Sequence, residues 1–293
     1  MYQSRHHGDR FMSNDLAGKT FVITGANTGI GKITATDLAR RGAHVILACR
    51  SPSKAQPVID EIKRATGNDR VELVALDLGD LASVRAAATE IVAKNLPIHG
   101  LINNAGLAAR GQTKDGFELT FGTNHLGHYL FTRLLLDRLE QAGSARIVNV
   151  ASNSHYRAKS IDWDAQQRPT KSISAVTEYE ASKLANVLFT KELARRLDGT
   201  GITTYAVHPG VVATDVWRRI PRPLRWLVKR FMLTPEQGAQ STIVAATDPA
   251  LANQTGRYYT VGGKEKHPSR VSNDVELAKT LWTKSAEWTN LPA

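Results

Sequence analysis

The sequence predicts an α/β chain, a single doubly wound domain with a mostly parallel sheet flanked by helices. Three observations predict it. Short runs that are apolar nearly throughout alternate with longer helical patterns, as expected of strands covered on both faces and of the helices that cross between them. A glycine-rich stretch stands where the first strand hands over to the first helix. No repeat, low-complexity tract or obvious linker divides the 293 residues, a length that one large α/β domain can reach.

Taken in order, the strand-like runs lie at 20–26, 43–50, 71–78, 100–106, 145–152 and 202–210. Helical patterns lie at about 30–41, 80–94, 117–140 and 178–197, and Gly42 supplies a stop for the first of them. Repeated strand–helix units imply right-handed crossovers between parallel strands. Residues 1–15 are expected to form a poorly ordered leader, with Met12 as an alternative start. The domain is expected to fill 16–293, with a substrate lid at about 211–235.

Composition narrows the function classes. Hydrophobic residues make up 42% and charged residues 22%, a globular balance. No apolar run reaches the roughly eighteen residues that a membrane span needs, and the charged, histidine-bearing N-terminus shows no secretion signal. Cys49 is the only cysteine, so no intramolecular disulfide can form; a cytoplasmic location is expected. Net charge is +11 and the sequence pI about 9.8, which suits an enzyme whose anionic ligand is drawn in by a positive field. None of the familiar nucleic-acid modules is present, and no nucleic-acid partner is expected.

The stretch TGANTGIGK, residues 24–32, carries the first chemistry. Gly25, Gly29 and Gly31 let the backbone turn tightly around Asn27, Thr28 and Ile30. The helix starting near Ile30 then aims unpaired N–H groups at a diphosphate, the Rossmann arrangement for a dinucleotide. A site preferring NAD usually ends its second strand in an acidic residue. Here that end carries Cys49 and Arg50. A guanidinium pairs with a 2′-phosphate where a carboxylate would repel it, so NADP(H) is expected over NAD(H), with Ser51 and Lys54 as further contacts. The competing reading makes Arg50 an ordinary solvated charge.

Tyr179 and Lys183 stand four residues apart in a helical run, on one face and about a turn from each other. On an unspecified helix such a pair is usually a solvated face. It can also move a proton: an ammonium and the positive oxidised nicotinamide both favour phenolate, lowering a phenol pKa that is otherwise about 10.

Together these residues resemble the short-chain dehydrogenase/reductase family. The glycine spacing, NNAG at 103–106 and the Tyr179–Lys183 pair occur in that family's order, over roughly 17–262. The stretches ACR, TNHLGHYLFTRLLL, SKLANVLFTKELARRL and YAVHPGVV resemble its retinol-dehydrogenase-like branch. The resemblance implies a catalytic set of Asn124, Ser152, Tyr179 and Lys183. It places Asp77 and Leu78 beside the adenine ring and Asn103, Ala105 and Gly106 in the cofactor cleft. Pro209 and Gly210, with Val211, Val212 and Thr214, fall beside the nicotinamide. Lys183 is also implied to hold the nicotinamide ribose, and Asn124 to kink its helix and hold a water. The implied reaction moves hydride between nicotinamide and a carbonyl or alcohol carbon of an apolar small molecule, Tyr179 being the acid/base. Two alternatives stand beside it: a cofactor-sensing regulator without chemistry, and a ring-double-bond reductase of the protochlorophyllide type.

His125 and His128, at i and i+3, lack a third ligand of matching spacing and are expected to be structural, with no metal. His155 and His208 flank the predicted cleft and could touch substrate. The segment 217–231 joins six basic residues to one apolar stripe and has no acidic residue. It is expected either to pack over the cleft as a lid or also to rest on anionic lipid as a peripheral membrane contact. The polar connection between Ser152 and Tyr179, with Tyr156, Ile161 and Trp163, is expected to form one wall of the substrate mouth. Homo-oligomer formation stays open.

Overall fold

Alternation along each strand decides which of two cores a side chain enters. In β1 (Thr20–Thr24), Val22 faces one core while Phe21 and Ile23 face the other. In β2 (His44–Cys49), Ile46 and Ala48 join Val22, whereas Val45, Leu47 and Cys49 join Phe21. Both faces are therefore apolar, as a sheet with helices on either side requires. The protein is described by a computed structural model over residues 14–210 and 233–293.

The remaining strands are β3 (Val71–Ala75), β4 (Gly100–Asn103), β5 (Ala145–Val150), β6 (Ile202–Val207), β7 (Arg257–Thr260) and β8 (Lys264–Glu265). They form one sheet in the order β3-β2-β1-β4-β5-β6-β7-β8. Every pairing is parallel except the last, where Tyr259 faces Glu265 antiparallel. The order reverses between β1 and β4, and the carboxyl ends beside that reversal are where such sheets open a ligand crevice.

The helices are α1 (Gly29–Arg40), α2 (Pro52–Thr66), α3 (Leu81–Ala93), α4 (Leu119–Phe121, Gly122–Leu126 and Gly127–Leu134 in one run), α5 (Val176–Arg196), α6 (Pro235–Thr247) and α7 (Val275–Trp288). Side chains of α1, α2 and α6 fill one core, and those of α3, α4, α5 and α7 the other. Each large apolar side chain fully buried there contributes about 1.5–3 kcal/mol. Surface pairs such as Lys32–Glu61 contribute about 0–1. The cores hold the fold.

The expected doubly wound domain is what the chain forms, with differences that have physical causes. Strands end one to three residues before their apolar runs do; after β1 and β6 this is because Gly25 and the Pro209–Gly210 pair turn the backbone out of the sheet. Helix α2 was masked in the sequence by Pro52 at its start and Pro57 inside it, where Ala55, Ile59 and Ile62 make only a narrow stripe. Helices α6 and α7 and the short β7 and β8 also went unread. Helix α5 has no solvent face along its middle: Ala181 to Thr190 are buried on all sides, since the sheet lies beneath them and α7 and α4 lie over them. Of the expected leader, Asn14 and Asp15 are described, and Asp15 accepts from Arg41. Of the expected lid, 211–232 fall outside the described residues. Thr234 and Pro235 instead start α6 through a capping box with Gln237. Among the described residues no helix is long and apolar enough to cross a membrane.

Candidate active site

The glycine loop is shaped by what stands against it. Gly25 has φ +65° and Gly29 φ +55°, both left-handed. A Cβ at Gly25 would lie 2.8 Å from Ala105 Cβ, and one at Gly31 only 2.5 Å from Asn104 Nδ2. The loop after β1 and the turn after β4 thus pack backbone to backbone. Thr24 fastens them: its hydroxyl oxygen accepts from the amides of Asn104 and Ala105 at 3.0 Å, and Asn104 Nδ2 donates to Thr24 O. With both lone pairs taken, the Thr24 hydroxyl donates to His128 Nε2 at 2.8 Å, so His128 Nδ1 carries the proton given to Asn124 O at 3.0 Å. Sequence reading treated His128 as generally structural and singled out neither Thr24 nor Asn104. Their partners lie 80 and 104 residues away in the chain.

Thr28 caps α1 without a side-chain hydrogen bond, and no acidic residue sits in that helix's first turn. The first amides of α1 therefore meet no competing carboxylate from their own turn. Arg50 and Lys54 are exposed, and neither side chain has a hydrogen bond or ion pair among the described residues. Ser51 Oγ lies 3.3 Å from Ser53 Oγ. Asp77 Oδ1 accepts from the Gly79 amide, while Leu78 is buried in the core, its carbonyl so close to Gly127 that a Cβ there would meet it at 2.4 Å. Asn103 is buried; its Nδ2 donates to Thr132 Oγ1 and Asn149 Oδ1, tying β4 to β5 and α4.

Asn124 sits in a π turn, Gly122–Leu126, within α4. Its Oδ1 accepts from Leu107 N at 2.8 Å, and its Nδ2 donates to Leu107 O and Ser182 Oγ. Gly106 leaves room beside it: a Cβ there would stand 3.4 Å from both Asn124 Oδ1 and Lys183 Nζ. Lys183 is buried, donates to Val150 O at 2.8 Å and lies 5.5 Å from the centre of the Tyr179 ring. The Ser152 side chain lies near enough to the Tyr179 hydroxyl to lower its pKa. Ser152 also caps the short turn Asn153–Tyr156, accepting from Ser154 N. The structure thus brings Asn124, Ser152, Tyr179 and Lys183 to one place, at the carboxyl ends of β4 and β5 and the first turns of α5.

Electrostatics depart from the expectation for Tyr179. Burial raises its pKa above the ordinary phenol value, and the nearby Ser152 side chain offsets this only in part. Tyr179 as a whole is half-buried, and the neighbouring ammonium does not reverse the shift. Burial also lowers the Lys183 pKa to about 8.

Pro209 and Gly210 follow β6, where Gly210 has φ +90° and a Cβ would meet Leu233 Cδ1 at 2.3 Å. Leu233 and Val261 thus pack against Gly210. Val211, Val212 and Thr214, and the basic stretch 217–231, lie outside the described residues. His125 is buried with Nε2 3.0 Å from Ser285 Oγ. His208 is buried, its Nδ1 without a partner among the described residues. His155 is wholly buried and both its ring nitrogens are used inside the protein, so it does not line a mouth.

The connection from 153 to 175 also differs from expectation. Ile161 and Trp163 turn inward against Leu184, Leu188 and α7. Glu118, which sequence reading passed over, anchors this connection: one carboxylate oxygen accepts from the Thr170 hydroxyl, the other from Phe121 N at 2.6 Å. The apolar side chains it exposes are Tyr156 and Ile173, the latter 90% exposed, with Val176 following at the start of α5.

The family model described as short chain dehydrogenase matches residues 19–224. The chain belongs to the short-chain dehydrogenase family. Among curated relatives, human retinol dehydrogenase 11 is 44% identical over 94% of this chain and 87% of its own length. Mouse retinol dehydrogenase 12 is 45% identical over 93% of this chain and 86% of its own. Among solved structures, an uncharacterized protein from Mycobacterium paratuberculosis is 34% identical with a TM-score of 0.76, covering 96% of this chain and 99% of that one. A 3-ketoacyl-(acyl-carrier-protein) reductase from Brucella melitensis, complexed with NADH, is 29% identical with a TM-score of 0.66, over 85% and 98%. A protein from Beutenbergia cavernae with bound NADP at low occupancy is 29% identical with a TM-score of 0.68, over 86% and 98%. As a short-chain dehydrogenase the protein is an oxidoreductase of a family that uses a nicotinamide cofactor.

Proposed function

We propose that this short-chain dehydrogenase uses NADP(H) in preference to NAD(H) and interconverts a carbonyl and an alcohol on an apolar small molecule, with Tyr179 as general acid/base. One observation carries the reading: Ser152 acts on the Tyr179 hydroxyl while the Lys183 ammonium lies 5.5 Å from the centre of its ring. The glycine loop fits the diphosphate of the cofactor, since it turns through left-handed glycines into the head of α1, whose first turn carries no acidic residue. Gly25, Asn27, Thr28, Gly29, Ile30 and Gly31 would hold the diphosphate, and Arg50 with Lys54 the 2′-phosphate. Asp77 and Leu78 would flank the adenine; Asn103, Ala105, Gly106, Pro209 and Gly210 would line the nicotinamide side. The bound cofactor supplies or receives the hydride.

The chain's own groups handle the proton. In the reducing direction Ser152 donates a hydrogen bond to the substrate oxygen, polarising the carbonyl. Tyr179 gives its proton to that oxygen as negative charge develops there. A phenol raised by burial stays protonated through neutral pH, as an acid waiting for a carbonyl must. Lys183, charged below about pH 8, favours the phenolate left behind. Asn124 holds the chain at Leu107 beside it. The names of the relatives, retinol dehydrogenases, and the exposed Ile173 beside the head of α5 favour an apolar substrate.

Tyr179→Phe is the test. Oxidation of NADPH with a panel of apolar aldehydes should fall at least about 100-fold, while NADPH binding measured by titration stays near wild type. Near-normal turnover in that variant would refute the assignment. Wild-type protein that binds NADPH and reduces nothing would favour a cofactor-sensing role.

A further inference from the structure

His155 joins the Ser152 turn to a distant segment. The Ser269 backbone amide donates to His155 Nε2 at 3.0 Å. That nitrogen must therefore be the unprotonated one, and Nδ1 carries the hydrogen given to Ser152 O at 2.6 Å. Two more ties run the same way. Tyr258 on β7 donates its hydroxyl to Asn153 Oδ1 at 3.0 Å, and Tyr156 donates to His267 O. The His155 ring lies between those of Tyr156 and Tyr258, 4.1 and 4.9 Å away. Among the described residues the Ser152 side chain itself bonds within its own turn, to Ser154, so the clamp is what ties that turn to the distant segment.

We propose that His155 is a positioning residue, whose neutral imidazole clamps the Ser152 turn to Ser269 and so holds the Ser152 hydroxyl against Tyr179. The proposal rests on the reading of Ser152 and Tyr179 given above. Protonating His155 would set an N–H against the Ser269 N–H and break the clamp. The groups facing it disfavour that proton: Lys266 beside β8 and His208 after β6 act on it through space, while Tyr156 and Tyr258 supply uncharged rings. Burial pushes its pKa below the ordinary imidazole value. Clamped activity is thus retained at neutral pH and lost only well into acid.

The test compares wild type, His155→Ala and His155→Asn, the last keeping a donor toward Ser152 O. In His155→Ala, kcat for aldehyde reduction should fall about tenfold to 100-fold, with NADPH affinity and substrate KM within about twofold of wild type. His155→Asn should recover part of kcat and lose the acid limb that wild type shows. Independently of activity, long-range proton–nitrogen NMR of the wild-type imidazole should report the Nδ1–H tautomer at neutral pH. An Nε2–H tautomer, a His155→Ala with wild-type kcat, or an acid limb unchanged in His155→Asn overturns the proposal. If kcat and NADPH affinity fall together in both variants, the role is general folding and the proposal also fails. Wild type without turnover on any carbonyl compound overturns the reading of Tyr179 and this proposal with it; an active wild type beside an equally active His155→Ala overturns the proposal alone.

Discussion

Arg50 carries a charge that no described residue neutralises, at the end of the strand where a dinucleotide's adenosine ribose would lie. A charge-assisted hydrogen bond contributes about 1.5–3 kcal/mol, or roughly tenfold to 100-fold in affinity. Arg50→Asp should therefore weaken NADPH binding by about that factor and leave NADH binding equal or better. Fluorescence titration of both cofactors checks this, and an unchanged NADPH/NADH ratio would dismiss Arg50 as the selector. At the same scale, Ser152, Tyr179 and Lys183 were legible as candidates from motif and spacing. The direction of the Tyr179 pKa was not. Spacing puts an ammonium near a phenol, whereas the raised value comes from desolvation, which depends on everything packed around the hydroxyl.

Among the elements, the glycine loop shows how far a pattern carries. Its spacing announced a tight turn before α1, but not the turn after β4 pressed against it. Gly31→Ala would place a Cβ 2.5 Å from Asn104 Nδ2 and 2.7 Å from Gly25 O. Overpacking of this kind costs about 1–3 kcal/mol. Calorimetry should show Tm lowered by about 2–10 °C, and cofactor titration an affinity at least about tenfold weaker; a variant matching wild type in both would show that the loop can relax. Helix α4 was legible as a helix, though its π turn at Asn124 was not, since that widening goes with side-chain bonds to Leu107 and Ser182. Helix α7 was missed although Ala278, Leu281, Trp282, Ser285 and Ala286 form its buried stripe. Two of those five are alanines and one a serine, which a hydropathy pattern registers weakly.

Three buried histidines bear on the stability of the whole molecule. Burial, the largest cause for each, lowers the pKa of His125 to about 3 and those of His128 and His208 to about 4. In the unfolded chain each takes up its proton near the ordinary value, about 6.5. Between these limits the unfolded state binds more protons than the folded one, so stability falls as pH falls. The slope approaches about 1.4 kcal/mol per pH unit for each such group. Calorimetry from pH 7 to 4.5 should show Tm dropping steadily, and His128→Gln should flatten the drop. A flat wild-type curve would mean that these side chains reach solvent in the folded state.

The amino-acid sequence by itself determined the strand–helix alternation, the glycine turn, the cationic end of β2 and the order of the chemical groups along the chain. These are local: backbone freedom, apolar periodicity and residue type are written within a few neighbouring positions. Only the tertiary structure decided which protons those groups hold and which distant atoms fix them. Thr24 meets His128 across 104 positions and His155 meets Ser269 across 114. Tautomer and pKa follow from such meetings and from exclusion of water, and neither exists until the sheet has closed around the site.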